Sequence, residues 1–299
     1  MLVDRLVRFA RKPAVDKRVA VRFFARKALT KLPCAPIRAW LDVVPGERFR
    51  FWWSYLPMVD HSDRTLWEYW GDDCGELRFL WQFLSPGMAF FDIGAYHGIF
   101  SLVAAKRLGS RGRVVAFEPS QRERRRFELH MRWNGLSEVR LEPYAVSSTS
   151  GPLKFFAVSS GFTSMNSLKT PPIESPIRET TVEAVSLDAY LQDHRITQID
   201  LMKIDVEGGE LEAFRGASRM LSAIRPILIC EVLDWVTRSW GYPAREIMSC
   251  LREHGYDWFD FRDDGTISPH AQRDDYPDIR NFLAVPREKL ALVERWRQL

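Results

Sequence analysis

The chain has 299 residues, of which 46% are hydrophobic and 27% charged, with a net charge of +4. A chain of this length and composition can bury one large core, which excludes an intrinsically disordered or fibrous protein. Its longest charge-poor stretch, residues 81–105, is broken by proline, glycine and aspartate. We therefore expect neither a membrane-spanning helix nor a signal peptide.

The first 31 residues are strongly basic. They hold ten Lys or Arg against Asp4 and Asp16, a net charge of +8, so the remainder of the chain carries −4. Apolar residues recur at helical spacing on both sides of Pro13, which predicts a basic amphipathic helical extension over residues 1–45. Packing of these helices on the domain accounts for the pattern. Peripheral contact of residues 1–31 with an anionic membrane or an acidic partner is the alternative.

An aromatic-rich segment follows over residues 46–80. We interpret it as a cap over the sheet edge; the alternatives are a sugar-binding platform and a strand over 49–55 that covers the pocket. The polar cluster at 60–63 is interpreted as a turn, because no further ligands lie at metal-binding spacing. No metal site is predicted. The remaining residues, 81–299, are predicted to form one catalytic domain.

Residues 90–98, Phe-Phe-Asp-Ile-Gly-Ala-Tyr-His-Gly, predict a buried strand that ends in a tight turn, followed by a helix over 99–108. Gly94 and Gly98 would let the backbone approach a ligand near the helix N-terminus; the alternative is that they serve the turn alone. The spacing is not the Gly-x-Gly-x-x-Gly of dinucleotide folds. Asp92 at the strand tip would repel a pyrophosphate, so S-adenosylmethionine, with its ammonium and sulfonium groups, fits better than NAD.

A second strand is predicted over 113–117, ending at Glu118-Pro119, with a helix over 121–133. A carboxylate at this strand tip can accept hydrogen bonds from both ribose hydroxyls, so Glu118 is the predicted ribose ligand; a solvated strand end is the alternative. The four arginines within 122–126 spread around the helix without interleaved aromatic residues. Nucleic-acid binding is therefore not predicted.

Four further segments complete the pattern. Residues 141–147 predict a third strand and its exit, and residues 162–168 a polar loop. Residues 200–204 predict a central strand that leads into Asp205-Val206-Glu207-Gly208-Gly209-Glu210 and a helix over 211–221. Residues 227–232 predict a buried strand with Glu231 near its tip.

Together, FFDIGAYHG, VVAFEPS, IDLMKIDVEGGELEAFRGA and RPILICEV resemble the FkbM-type family of S-adenosylmethionine-dependent methyltransferases. The resemblance covers roughly residues 75–235, with weaker agreement to about 285. It implies an α/β class I methyltransferase fold, Rossmann-like, with a mostly parallel sheet flanked by helices behind the N-terminal extension. It also implies S-adenosyl-L-methionine as cofactor. Where many relatives have Asn-x-Gly, this chain has Tyr96-His97-Gly98.

The predicted cofactor contacts lie at the strand tips and the turns that follow them. They are Asp92, Gly94, Ala95, Tyr96, Gly98, Glu118, Pro119, Tyr144, Ala145, Val146 and Asp205. The resemblance implies that residues 144–146 border the adenine. Asn166 and Ser167 in the polar loop, together with Glu231, are the predicted substrate contacts.

Methyl transfer to a hydroxyl needs the acceptor oxygen held about 3 Å from the methyl carbon and a group that removes its proton. Since the carboxyl ends of parallel strands share one edge, the acidic strand tips are expected on one rim. We assign Asp205 to the floor of the active site and Glu207 as the leading acceptor-side carboxylate, with His97 next and Glu231 third. Helix capping is the alternative for Glu207, and Lys203 is expected to pair with a carboxylate.

The predicted function is O-methylation of a hydroxyl on a sugar, a glycan or another natural product. A non-catalytic module that binds the cofactor or a membrane surface is the main alternative, and a nicotinamide-dependent oxidoreductase is a weaker one because the dinucleotide glycine pattern is missing. Four cysteines, Cys34, Cys74, Cys230 and Cys250, have neither disulfide-like nor metal-binding spacing. We therefore expect a cytoplasmic protein with reduced thiols.

Overall fold

The computed structural model describes residues 37–44, 47–53, 75–159, 163–278 and 280–298. Two strands come first, β1 (Ile37–Val44) and β2 (Glu47–Trp53), paired as an antiparallel hairpin. The predicted helical extension therefore ends in a strand, because β1 lies within its last residues. The strand considered over 49–55 overlaps β2, which begins and ends two residues earlier. The other expectations for residues 1–36 and 54–74 lie outside the described residues.

Eight strands form the central sheet. From edge to edge they are β12 (Ile267–Pro269), β11 (Tyr256–Phe261), β13 (Asn281–Pro286), β10 (Ile227–Glu231), β9 (Leu201–Ile204), β3 (Ala89–Ile93), β4 (Arg113–Phe117) and β5 (Val139–Glu142). Five adjacent strands, β10, β9, β3, β4 and β5, run parallel to one another. The other three, β12, β11 and β13, each pair antiparallel with their neighbours. The carboxyl ends of the parallel strands therefore open on one edge.

Helices cover the sheet, and three strands form a small second sheet. The helices are α1 (Gly75–Phe83), α2 (Ile99–Leu108), α3 (Gln121–Asn134), α4 (Leu187–Asp193), α5 (Glu210–Arg215), α6 (Asp234–Thr237), α7 (Arg245–Glu253) and α8 (Leu290–Val293). The second sheet contains β6 (Ala145–Val146), β7 (Gly151–Val158) and β8 (Ile177–Val185). The predicted α/β class I architecture is confirmed.

Two apolar cores lie on opposite faces of the central sheet. Side chains alternate along each strand, so Phe90 of β3 packs into the core that contains α1 and α2, whereas Phe91 packs into the core that contains α4, α5 and α7. Both phenylalanines are fully buried. Because every residue of β3 and β10 is buried, the strand tips are rigidly placed.

Two predicted elements differ in extent. The helix expected over 211–221 is interrupted, since Asp188 accepts hydrogen bonds from the backbone N–H groups of Arg219 and Met220 and so caps a separate turn. The strand expected over 141–147 divides into β5 and β6, because Pro143 between them has no N–H to donate. In the described part of the chain, every helix is too short or too polar to cross a bilayer. Cys230 and Cys250 are free thiols.

Candidate functional site

One cavity opens at the carboxyl edge of the parallel strands. All the residues predicted to bind cofactor or substrate or to act in catalysis line it, except Gly98. Those that line it are Asp92, Gly94, Ala95, Tyr96, His97, Glu118, Pro119, Tyr144, Ala145, Val146, Asn166, Ser167, Asp205, Glu207 and Glu231. The residues predicted to form the site therefore lie around the edge where the parallel strands end. Their individual roles stay predictions.

The two glycines of the first motif are required by the protein itself. A Cβ on Gly94 would lie 1.9 Å from the carbonyl oxygen of Asp205, and a Cβ on Gly98 would lie 2.4 Å from the ring of Phe127. Both residues have positive φ, +78° and +82°. Packing alone therefore requires glycine at both positions: Gly94 lets two strand tips approach, and Gly98 makes room for α3. Their predicted contact with a ligand stays a prediction.

Glu118 follows β4, and its side chain bonds to the turn that follows β3. Its Oε2 accepts a hydrogen bond from the Tyr96 N–H at 2.9 Å, and its Oε1 accepts one from the Ser120 N–H at 2.7 Å. The side chain is 5% exposed, and this burial raises the pKa of Glu118 to about 8. The carboxyl group of Glu118 therefore connects the turn after β3 with the turn after β4. Glu118 still lines the cavity.

Tyr96 connects the first turn with the loop across the cavity. Its backbone is left-handed, with φ 49°. Its hydroxyl lies 2.7 Å from Oγ1 of Thr163, and its ring stacks on His97 with centroids 3.6 Å apart. Such strain in a residue other than glycine costs about 1–3 kcal/mol and is typical of functional sites.

His97 lines the cavity and also belongs to a buried polar network. Its Nε2 is 2.7 Å from Oε2 of Glu123, and the side chain is 3% exposed. Burial alone would raise the pKa of Glu123, but hydrogen bonds from His97 and Arg122 lower it below its ordinary value. This contact favours a positioning role for His97. Its role as a base stays a prediction.

Asp92 and Lys203 face each other on neighbouring strands, as register partners of β3 and β9. Oδ2 of Asp92 accepts hydrogen bonds from the Ser101 N–H at 3.1 Å and from the Ser101 hydroxyl at 2.6 Å. Its Oδ1 is buried and has no hydrogen-bond partner among the described residues. Burial raises the pKa of Asp92, and the Lys203 ammonium opposes this rise.

Lys203 pairs with a carboxylate, as predicted. Its Nζ lies 2.7 Å from Oδ2 of Asp205. Burial would lower the pKa of Lys203, but Asp205 and Asp92 together raise it above its ordinary value. Lys203 is therefore a fixed positive charge at the carboxyl end of the central strand β9.

The turn after Asp205 fixes the backbone of Glu207. Glu207 is left-handed with φ 56°, and Gly208 follows with φ 89°. The Glu207 carbonyl oxygen accepts hydrogen bonds from the Ser167 hydroxyl and from Nε1 of Trp240, both at 3.1 Å. The turn predicted from Gly208-Gly209 is confirmed.

Glu210, the first residue of α5, reaches back into this turn. Its Oε1 accepts a hydrogen bond from the Val206 N–H at 2.8 Å, and burial raises its pKa to about 7. Val206 precedes α5, so this contact stabilises the turn and does not cap the helix; capping by Glu207 stays a hypothesis.

The predicted substrate loop is held by its own polar side chains. Oδ1 of Asn166 accepts a hydrogen bond from the Val158 N–H at 2.8 Å, while Ser167 bonds to Glu207 as above. These contacts anchor the loop to β7 and to the Glu207 turn. Direct contact of Asn166 and Ser167 with a substrate stays a prediction.

Glu231 ends strand β10 and faces several other acidic groups. It is 7% exposed, and its Oε2 has no hydrogen-bond partner among the described residues. Burial, with Asp205 and Glu207 nearby, raises the pKa of Glu231 well above its ordinary value. The carboxyl group thus lies on the rim predicted for it.

The lining residues that the sequence analysis did not assign to the site include Phe155, Trp235, Trp240 and Asn281. Trp235 and Trp240 follow β10, so the rule that sites form beyond strand tips could have found them. Trp235 remains 39% exposed. Asn281 begins the antiparallel strand β13 opposite Glu231, and no local signal predicts that pairing.

Known proteins resemble this chain in sequence. The family model described as the methyltransferase FkbM domain matches residues 92–258. AMB antimetabolite synthetase AmbE of Pseudomonas aeruginosa is 27% identical over 210 residues, which cover 58% of this chain and 10% of that protein. This chain therefore spans about a tenth of the length of that curated relative.

Similar solved structures include two methyltransferases. Precorrin-6y C5,15-methyltransferase from Geobacter metallireducens has 12% identity and a TM-score of 0.39, covering 71% of this chain and 84% of that chain. An O-methyltransferase from Bacillus cereus, solved in complex with SAH, has 14% identity and a TM-score of 0.39, covering 70% of this chain and 79% of that chain.

Proposed function

The chain belongs to the FkbM methyltransferase family, and we propose that it methylates a hydroxyl group on a sugar, a glycan or another natural product. The methyl donor is S-adenosylmethionine. The observation that carries the proposed acceptor chemistry is the fixed turn at Glu207, which presents a partly exposed carboxylate to the cavity.

The residues at the strand tips fit this donor. The buried Oδ1 of Asp92 lacks a partner among the described residues, as expected for an oxygen that binds a cationic group of the ligand. The Glu118 carboxyl group would hold the ribose hydroxyls. The segment from Tyr144 to Val146 would border the adenine, because it lies at the cavity wall just beyond β5.

On the acceptor side, Glu207 would take the proton of the attacking hydroxyl. The donor supplies an electrophilic methyl group: the acceptor oxygen bonds to it while the electron pair of the broken bond returns to sulfur. Because Ser167 and Trp240 both hold the Glu207 carbonyl oxygen, the carboxylate is placed without reorganisation of the backbone.

The charge of the cavity supports an uncharged acceptor. Asp205, Glu207 and Glu231 line it, and Lys203 is the one Lys or Arg among its described lining residues. A phosphorylated compound or a nucleic acid would be repelled by this surplus of negative charge, whereas a neutral polyol would not. The half-exposed Trp235 offers a ring against which a sugar could lie.

A panel of acceptors tests this function. The protein is incubated with S-adenosylmethionine and matched sets of neutral hydroxylated compounds, their phosphorylated counterparts and an RNA oligonucleotide, and S-adenosylhomocysteine is quantified. We expect its formation only with hydroxylated neutral acceptors. Transfer confined to RNA or to amine-bearing compounds would overturn the proposal.

A further inference from the structure

Three carboxyl groups converge where strands β9 and β10 end. One oxygen from each of Asp205, Glu210 and Glu231 lies within 4.8 Å of the others. Oxygen ligands of one divalent ion are separated by about 3 to 5 Å, as follows from metal–oxygen distances of about 2.1 Å for Mg²⁺ and about 2.4 Å for Ca²⁺. The sequence predicted no such cluster, because the three residues come from different elements.

Unsatisfied oxygens point to a ligand at this cluster. Oε2 of Glu231 is buried without a hydrogen-bond partner among the described residues, although the side chain is only 7% exposed. Oδ1 of Asn281, opposite Glu231 in the register of β10 and β13, is likewise buried and unpartnered among those residues. Carboxylate and amide oxygens are the ligands that hard divalent cations prefer.

The charges leave room for a divalent cation. Lys203 supplies one positive charge through its 2.7 Å contact with Asp205, whereas Glu210 and Glu231 form no ion pair among the described residues and burial raises the pKa of each. Asp92, the register partner of Lys203, adds to the negative side. Buried carboxylates without a counter-charge are costly, and a bound divalent ion removes that cost.

We propose that Asp205, Glu210 and Glu231 bind a divalent cation of the Mg²⁺ or Mn²⁺ class, with Asn281 as a fourth oxygen ligand. Asp205, Glu231 and Asn281 line the same cavity as Glu207, and Glu210 is buried behind it. A cation there would orient an acceptor hydroxyl and stabilise its ionised form. The binding step needs no methyl acceptor, so it can be tested apart from the proposed reaction.

The test is calorimetric titration of the full-length protein with MnCl₂ after removal of metals by chelation, with and without S-adenosylhomocysteine. One saturable site is expected, which Mg²⁺ displaces. Glu231→Gln preserves size and should weaken Mn²⁺ binding at least about 10-fold. The matched control is Glu212→Gln on the same helix as Glu210, since Glu212 bonds to Ser148 and Arg215 instead; its Mn²⁺ affinity should be unchanged.

Asn281→Asp provides an independent variant, because it replaces a neutral oxygen ligand with a charged one and should tighten Mn²⁺ binding several-fold. Absence of a saturable site, or equal affinities in the wild type, Glu231→Gln and Asn281→Asp, would overturn the proposal. Loss of Mn²⁺ binding in the presence of S-adenosylhomocysteine would overturn it as well, because the cluster would then serve the ammonium of the cofactor.

Discussion

Replacement of Glu118 by alanine should weaken cofactor binding without abolishing the fold. The carboxyl group is positioned by two backbone N–H groups, of Tyr96 and Ser120, and lines the cavity. Its remaining lone pairs can accept hydrogen bonds from both ribose hydroxyls. Hydrogen bonds to a charged group contribute about 1.5–3 kcal/mol each, but desolvation of the buried carboxylate offsets part of this.

A net loss of about 1–3 kcal/mol follows, which corresponds to a rise in the dissociation constant of about 5-fold to 150-fold. The assay is calorimetric titration with S-adenosylhomocysteine. Glu142→Ala is the matched control, because Glu142 is a buried acid at the end of the neighbouring strand and bonds to Tyr190 rather than lining the cavity. An unchanged dissociation constant in a folded Glu118→Ala protein would refute the assignment.

Three further predictions concern the same cavity. Glu207→Gln should reduce turnover about 10²-fold to 10⁴-fold with little change in cofactor affinity. Near-wild-type turnover in Glu207→Gln, together with a large loss in His97→Gln, would assign the role of base to His97. Burial raises the pKa of Glu118 from 4.5 to about 8, so affinity for S-adenosylhomocysteine should rise with pH up to about 8 and then level off. Glu118→Ala should flatten this profile. A flat wild-type profile would contradict the argument. The same shift implies that the native state keeps a proton which the unfolded chain loses, so the contribution of Glu118 to the free energy of unfolding falls as pH rises through that window. Gly94→Ala places a Cβ 1.9 Å from the Asp205 carbonyl oxygen at φ +78° and should destabilise the protein by roughly 2–4 kcal/mol; an unchanged urea midpoint would argue against this packing.

The strand tips could be predicted from sequence because each is encoded locally. An apolar run followed by Asp92, Glu118 or Asp205 marks the end of a buried strand, and parallel pairing then brings the three to one edge. Residues whose position depends on the order of strands could not be predicted in this way. Asn281 reaches the cavity because β13 lies antiparallel beside β10, and nothing within 281–286 encodes that placement.

The contacts of individual side chains were also beyond a sequence pattern. Glu123 lies within a helix rich in arginine, yet it bonds to His97, 26 residues away in the sequence. Likewise, the motif did not predict the packing of Gly98, where an added Cβ would meet the ring of Phe127. In both cases the partner comes from α3, and its approach depends on helix packing.

A crystal structure of the full chain with S-adenosylhomocysteine tests the central claim most directly. We expect the ligand in the cavity at the ends of β3, β4 and β9, with its ribose hydroxyls on Glu118, its adenine beside the 144–146 segment and its sulfur facing the Glu207 turn. A ligand bound elsewhere, or a ribose that makes no contact with Glu118, would contradict the account.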